Sequence, residues 1–202
     1  MSLAVDAGRI AASAAILAGG QSRRMGRNKS LLPMHGQPMI GHIADQLRPH
    51  FDELLIGAND GALYGFLGLP VIADREPGSG PLMGILSCLE AARHELLFVT
   101  GCDIPEMNLA FIRQMISLAE GHDIVMPVDA EGRLEPLFAI YRKTVIAPAL
   151  AVLAAGGRRV MDLLPGQRVA HPVIPAGWIR NLNTPSDYTA TPGSAPLADP
   201  AE

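Results

Sequence analysis

Short apolar runs that alternate with amphipathic stretches constrain this chain more than any other feature of it. Runs at 13–18, 53–58, 69–73, 95–100 and 123–128 have the length and composition of buried strands. Segments 38–47, 81–93, 108–120, 144–155 and 159–164 carry apolar residues at three- and four-residue spacing, the pattern of helices that bury one face. Strand-then-helix alternation predicts right-handed βαβ crossovers, and hence an α/β fold: a three-layer, mostly parallel, Rossmann-like sheet with helices on both faces. Hydrophobic residues make up 49% and aromatics only 4%, so Ala, Leu, Ile, Val and Met must fill the core, as suits parallel strands covered by helices.

With 202 residues the chain can bury one substantial core, and a single domain over 13–190 is expected. Residues 1–12 show no period and read as a flexible leader. Residues 191–202, rich in Pro, Ala, Ser and Asp, read as a disordered tail. Two helix starts are marked. Gly80-Pro81 places Pro at a first helical position, and Thr184-Pro185-Ser186-Asp187 sets a capping Thr three residues before an acid.

The net charge of −4 argues against a dedicated nucleic-acid binder, which needs an excess of Lys and Arg to neutralise phosphates. No apolar run has the roughly 20 residues that span a bilayer, and the start of the chain lacks a secretory pattern; a cytoplasmic protein is expected. Cys88 and Cys102 form no Cys-x-x-Cys pair and read as structural thiols. His35, His42, His50, His94, His122 and His171 show no metal-ligand spacing and are assigned no chemistry.

In an open parallel sheet the ligand crevice lies beyond the carboxyl ends of the strands. After the first run come Leu17-Ala18-Gly19-Gly20-Gln21-Ser22-Arg23-Arg24-Met25-Gly26-Arg27-Asn28-Lys29. Gly19, Gly20 and Gly26 let the backbone approach an anion and aim N–H groups at it, while Arg23, Arg24, Arg27 and Lys29 supply positive charge. Such a loop suits a polyphosphate, although it is neither a P-loop nor the Gly-x-Gly-x-x-Gly fingerprint. After the run ending at Thr100 comes Gly101-Cys102-Asp103-Ile104-Pro105, which sets a carboxylate at a strand end. Asp103 is the candidate ligand for a Mg²⁺ that carries substrate phosphates; on its own, Asp-x-Pro would equally mark a turn. Asp74, followed by Gly78-Ser79-Gly80-Pro81, leads into a helix whose first N–H groups suit a phosphate or a base.

Leu17-Ala18-Gly19-Gly20-x-Ser22-x-Arg24-Met25-Gly26-x-x-Lys29 resembles the signature of the molybdenum cofactor guanylyltransferase family, the MobA-like proteins. Gly80-Pro81-Leu82-x-Gly84, Cys102-Asp103-x-Pro105, Glu135-Pro136-Leu137-Phe138-Ala139-Ile140-Tyr141, Arg158-Arg159-Val160-Met161 and Asn183-Thr184-Pro185-x-Asp187 follow in the family's order. The resemblance covers about residues 13 to 189 and implies a nucleotidyltransferase sheet. It also implies a reaction in which GTP and Mo-molybdopterin, with Mg²⁺ required, yield the molybdopterin guanine dinucleotide cofactor and pyrophosphate. By resemblance, Leu17, Ala18, Gly19, Gly20, Lys29, Asn59, Asp74 and Asp103 would contact the nucleotide, Asp103 would carry Mg²⁺, and Arg24 would hold the β- and γ-phosphates as pyrophosphate leaves. Catalysis would then fall to Arg24, Lys29 and Asp103. Arg158 and Arg159 would face the pterin or pair with acids. Weak contact with other cofactor-assembly proteins is a family expectation.

One departure stands out: the family commonly has Asp before the loop lysine, whereas this chain has Asn28-Lys29, as cytidylyltransferase relatives do. CTP in place of GTP, a sugar-phosphate acceptor, or a non-catalytic nucleotide-binding relative are the alternatives.

Overall fold

The structure, a computed structural model, describes residues 8–19, 28–175, 178, 181–182 and 184–195. The strands of the main sheet are β1 (Ile10–Leu17), β4 (Phe51–Gly57), β5 (Val71–Ile72), β6 (Leu96–Gly101), β7 (Ile124–Val125), β8 (Phe138–Arg142) and β9 (Val169–Ala170). They lie in the order β5-β4-β1-β6-β8-β7-β9. Strands β2 (Pro33–Met34) and β3 (Gln37–Pro38) form a separate small hairpin. The helices are α1 (Met39–Leu47), α2 (Pro81–Ala91), α3 (Leu109–Leu118), α4 (Ile146–Ala154) and α5 (Pro185–Thr189). Segment 159–164, expected as an α-helix, is a 3₁₀ turn over Val160–Leu163.

Strand residues alternate between two cores, as the period of two requires. On one face Ala14, Ile16, Leu54, Ile56, Phe98 and Ile140 pack against Ile40 and Ile43 of α1 and Phe111, Ile112 and Met115 of α3. On the other, Ala15, Leu17, Leu55, Leu97, Val99 and Tyr141 pack against Leu82, Ile85, Leu86 and Leu89 of α2 and Ala149 of α4. This is the expected three-layer α/β architecture. The scarce aromatics gather mainly in the first core: Phe98 stacks on Phe51 at 5.7 Å and meets Phe138 edge-on at 4.9 Å. The small side chains of Ala12 and Ala14 in β1 share that layer with these rings.

Strands β5, β4, β1 and β6 run parallel. Strand β8, which the sequence reading does not find, runs antiparallel to β6 and β7. The reason is local. Between β7 and β8 there is no helix to make a crossover. A turn closes there instead, with Asp129 N–H donating to the Arg133 carbonyl and Gly132 N–H to the Asp129 carbonyl, and Gly132 taking φ +83°. The chain therefore folds straight back as a hairpin arm, and the amino end of β8 arrives at the edge where its parallel neighbours end.

The expected ends also move. Strand β1 begins at Ile10, inside the stretch read as a leader, because Ile10 pairs with Phe51 and buries its side chain. Residues 191–195, read as disordered tail, return to the β2–β3 hairpin: Ser194 bridges Met34, and His35 N–H donates to the Gly193 carbonyl at 2.7 Å. Residues 1–7 and 196–202 lie outside the described residues. Both marked helix starts are present, Pro81 opening α2 and the Thr184–Asp187 capping box opening α5. Among the described residues no helix is long and apolar enough to cross a membrane.

A candidate nucleotide site at the carboxyl edge of the sheet

Because β1, β4, β5 and β6 are parallel, the residues that follow them emerge at one edge. Ala18 stays in the ladder beyond β1, its N–H donating to the Gly57 carbonyl at 2.9 Å, while the Leu17 carbonyl accepts from Cys102 N–H at 3.3 Å. Leu17 is buried, Ala18 is half-buried and Gly19 is exposed. The Leu17 side chain fills the space left by Gly57, where a Cβ would lie 2.5 Å from Leu17 Cδ2. Gly20 and Arg24, with the rest of 20–27, lie outside the described residues.

The described loop stub is buttressed from below. Tyr64, buried in the 3₁₀ turn after β4, has its hydroxyl 3.4 Å from the Ala18 carbonyl and 3.0 Å from Ser30 Oγ. Asn28 Nδ2 donates to that hydroxyl at 3.1 Å, and Asn28 Oδ1 accepts from Ser30 N–H at 3.1 Å and Ser30 Oγ at 2.7 Å. Both ends of the Asn28 amide are thus taken by the protein. An Asp here would keep the Ser30 bonds, but the contact with Tyr64 would have to reverse, with the phenol donating to the carboxylate.

The cap formed by Asn28 starts the short turn that carries Lys29. Lys29 Nζ donates to the Leu182 carbonyl at 2.6 Å, and Leu182 N–H donates to the Asp103 carbonyl at 2.9 Å. Lysine and carboxylate, far apart in sequence, are in this way tied to one segment. The Asp103 carboxylate folds back over the last residue of β6: a Cβ on Gly101 would lie 2.5 Å from Asp103 Oδ1. Burial pushes the Asp103 carboxyl above the usual carboxylate range, while its own backbone N–H and Lys29 pull it back.

Glu135 belongs to this edge too, and the sequence reading assigns it no role. It reaches the edge because β8 is antiparallel: Leu137, two residues on, accepts at 2.8 Å from Gly101 N–H. Burial raises the Glu135 carboxyl, Asn181 Nδ2 at 3.2 Å lowers it, and the negative charges of Asp103 and Asp129 raise it further. In the sequence it stands at the head of the Glu135–Tyr141 stretch that follows the family's order, a carboxylate directly before an apolar run, with no role attached to it.

Asn59 and Asp74, which follow β4 and β5, hold one another: Asn59 Nδ2 donates to Asp74 Oδ2 at 2.9 Å, and Asp74 N–H donates to Asn59 Oδ1 at 2.8 Å. A Cβ on Gly84 in α2 would sit 3.4 Å from Asp74 Oδ1 and 3.9 Å from Leu17 Cδ2, so this pair adjoins the β1 end across a gap kept open by glycine. Arg159 does not face the edge freely; it pairs with Asp162 at 2.7 Å. Arg158 is exposed beside the loop before α2, its carbonyl 3.1 Å from where a Cβ on Gly80 would be. Burial pushes the thiols of Cys88 and Cys102 up to about 12, Asp103 adding to the effect at Cys102, which suits unreactive structural cysteines. His35 and His42, which have no ligand spacing in the sequence, meet Glu106 in space.

The fold and the edge together define a nucleotidyltransferase: a mostly parallel α/β sheet with the Ala18–Gly19 backbone, a lysine and a half-buried carboxylate gathered at its carboxyl side. Residues 14–171 match the model of the MobA-like NTP transferase domain, and the chain belongs to that family. It is 38% identical to a probable molybdenum cofactor guanylyltransferase of Carboxydothermus hydrogenoformans, over 86% of this chain and 91% of that protein. It is 37% identical to a protein of the same description from Pelotomaculum thermopropionicum, over 87% and 89%. The fold is similar to that of molybdopterin-guanine dinucleotide biosynthesis protein A from Archaeoglobus fulgidus, with a TM-score of 0.74 at 22% identity over 87% of this chain and 94% of that one.

Proposed function

We propose that this protein is a molybdenum cofactor guanylyltransferase, which transfers GMP from GTP to Mo-molybdopterin and releases pyrophosphate. The family and the names of its relatives support the reaction. The observation that carries it to this chain is the tie from Lys29 through Leu182 to Asp103, which brings a cation and a carboxylate together at the edge where β1 ends.

In the reaction a terminal phosphate oxygen of the pterin forms a bond to the α-phosphorus of GTP, and the bond from that phosphorus to the α,β-bridging oxygen breaks with its electron pair going to pyrophosphate. No covalent enzyme intermediate is needed. The protein's work is positioning and charge neutralisation. Leu17, Ala18 and Gly19, with Asn59 and Asp74, would hold the nucleotide. Lys29 would face its phosphates, and Arg24 and the Gly20 backbone would add to that contact.

Asp103, a hard oxygen donor whose ionised form is penalised by burial and would be relieved by a cation, fits Mg²⁺, and Glu135 offers a second carboxylate beside it. Mg²⁺ bound there would supply charge neutralisation on the phosphates. Asn28, the residue that pointed towards CTP, is engaged by Tyr64 and Ser30, a structural role that requires no contact with a base.

Calorimetric titration with GTP, CTP and ATP, each with Mg²⁺, tests this reading, together with product analysis using Mo-molybdopterin. A GTP preference and formation of the guanine dinucleotide are expected. CTP preference, or nucleotide binding without turnover, would overturn it.

A further inference from the structure

The β2–β3 hairpin, helix α1 and the loop beyond Asp103 each contribute one side chain to a surface point outside the site described above: His35, His42 and Glu106. We propose that these three residues bind a borderline divalent transition-metal cation of the zinc class. His42 Nε2 lies 3.3 Å and His35 Nε2 3.8 Å from Glu106 Oε1. The donor atoms of all three lie within 4.8 Å of one another, and the imidazole centroids are 4.6 Å apart. A tetrahedral zinc with bonds of 2.0–2.2 Å needs donors about 3.4 Å apart. Two of the three edges are near that value, and the third closes by rotation of the His35 ring, whose side chain is 45% exposed.

The fold fixes the backbone that carries Glu106 and His35. Gln46, one turn along α1 from His42, donates to the Pro105 carbonyl at 2.8 Å and accepts from Met107 N–H at 2.9 Å, gripping the backbone on both sides of Glu106. His35 takes a left-handed conformation at φ +50°, the only described non-glycine residue with positive φ, and its N–H is held by the Gly193 carbonyl. A Cβ on Gly193 would overlap the His35 ring, so glycine there leaves the imidazole its place.

The donor set decides the class of ligand. One carboxylate can balance the charge of only one protonated imidazole, whereas a divalent cation uses two neutral imidazole lone pairs and the carboxylate at once. Two nitrogens and one oxygen favour zinc, nickel or copper over Mg²⁺, which takes oxygen ligands. Three protein ligands also leave a fourth position for water or a small anion. A bound cation would join the hairpin, α1 and the loop that carries Asp103, stiffening that loop beside the nucleotide edge. None of this depends on the transferase reading.

The test uses the full chain stripped with EDTA, titrated calorimetrically with Zn²⁺ and followed with Co²⁺ for the visible absorption of a tetrahedral complex. Three variants accompany it: His35→Asn, which tolerates positive φ, Glu106→Gln and Asp103→Asn. Saturable Zn²⁺ binding that excess Mg²⁺ does not displace is expected. His35→Asn and Glu106→Gln should each weaken it by more than the roughly 10- to 100-fold that loss of an outer-shell partner alone produces, and Asp103→Asn should leave it unchanged. Absence of saturable Zn²⁺ binding, unchanged affinity in His35→Asn and Glu106→Gln, or loss in Asp103→Asn would each overturn the assignment.

Discussion

Gly101→Ala is the sharpest probe of how the site is built. A Cβ at this position would stand 2.5 Å from Asp103 Oδ1, about 0.9 Å inside the 3.4 Å where ordinary contact begins. Asp103 Cγ at 3.6 Å and Leu137 Cβ at 3.7 Å are at ordinary contact distance. The overlap is with the free end of a carboxylate, so Asp103 will swing away while the backbone stays in place. A displacement near 1 Å at a reacting centre costs on the order of 10²-fold, or about 2.7 kcal/mol of transition-state stabilisation. Steady-state GMP transfer should therefore show kcat/KM down about 100-fold, with the unfolding transition still cooperative. The same substitution in an Asp103→Asn background should add little, because the group it displaces is already disabled. Activity within a few-fold of the parent, or a full further loss in the Asp103→Asn background, would refute the idea that the absent Cβ of Gly101 is what seats the carboxylate.

Lys29→Met removes a charged donor of the kind worth about 1.5–3 kcal/mol, so calorimetry should report GTP affinity lower by roughly 10- to 100-fold; unchanged affinity would detach Lys29 from the nucleotide. Tyr64→Phe removes the hydroxyl shared by Asn28, Ser30 and Ala18 and should cost about 1–2 kcal/mol in denaturant unfolding. Asn28→Asp should leave GTP preferred over CTP in competition assays, since the Asn28 amide is already bonded to Tyr64 and Ser30. For the apo protein, the raised carboxyls of Asp103 and Glu135 make the folded state hold protons that the unfolded chain gives up at about pH 4. Their favourable contribution is complete below that range and lost as pH rises through the raised values. Carboxyl carbon NMR should find both groups titrating late, with Glu135 shifting back towards its ordinary value in Asp103→Asn.

Much of this molecule was legible in sequence order alone. The alternation of 13–18, 53–58 and 95–100 with amphipathic segments determined β1, β4, β6 and the helices between them, because burial on both faces of a parallel strand demands an unbroken apolar run. Pro81 and the Thr184–Asp187 pair marked helix starts through bonds made within one turn. Asp103 was recognisable because a carboxylate directly after such a run must emerge at the ligand edge. Tertiary structure decided the remainder. The reversal of β8, and with it the arrival of Glu135 beside Asp103, depends on a turn at 129–132 that closes a hairpin where a crossover was expected. Asn28 has no partner legible in the sequence, and Tyr64, from beyond the second major strand, takes up its amide. His35, His42 and Glu106 have no common spacing, and only the packing of hairpin, helix and loop joins them. Local pattern reports what each segment must bury or cap, while the partners of a polar side chain are set by whichever distant segment the fold lays against it.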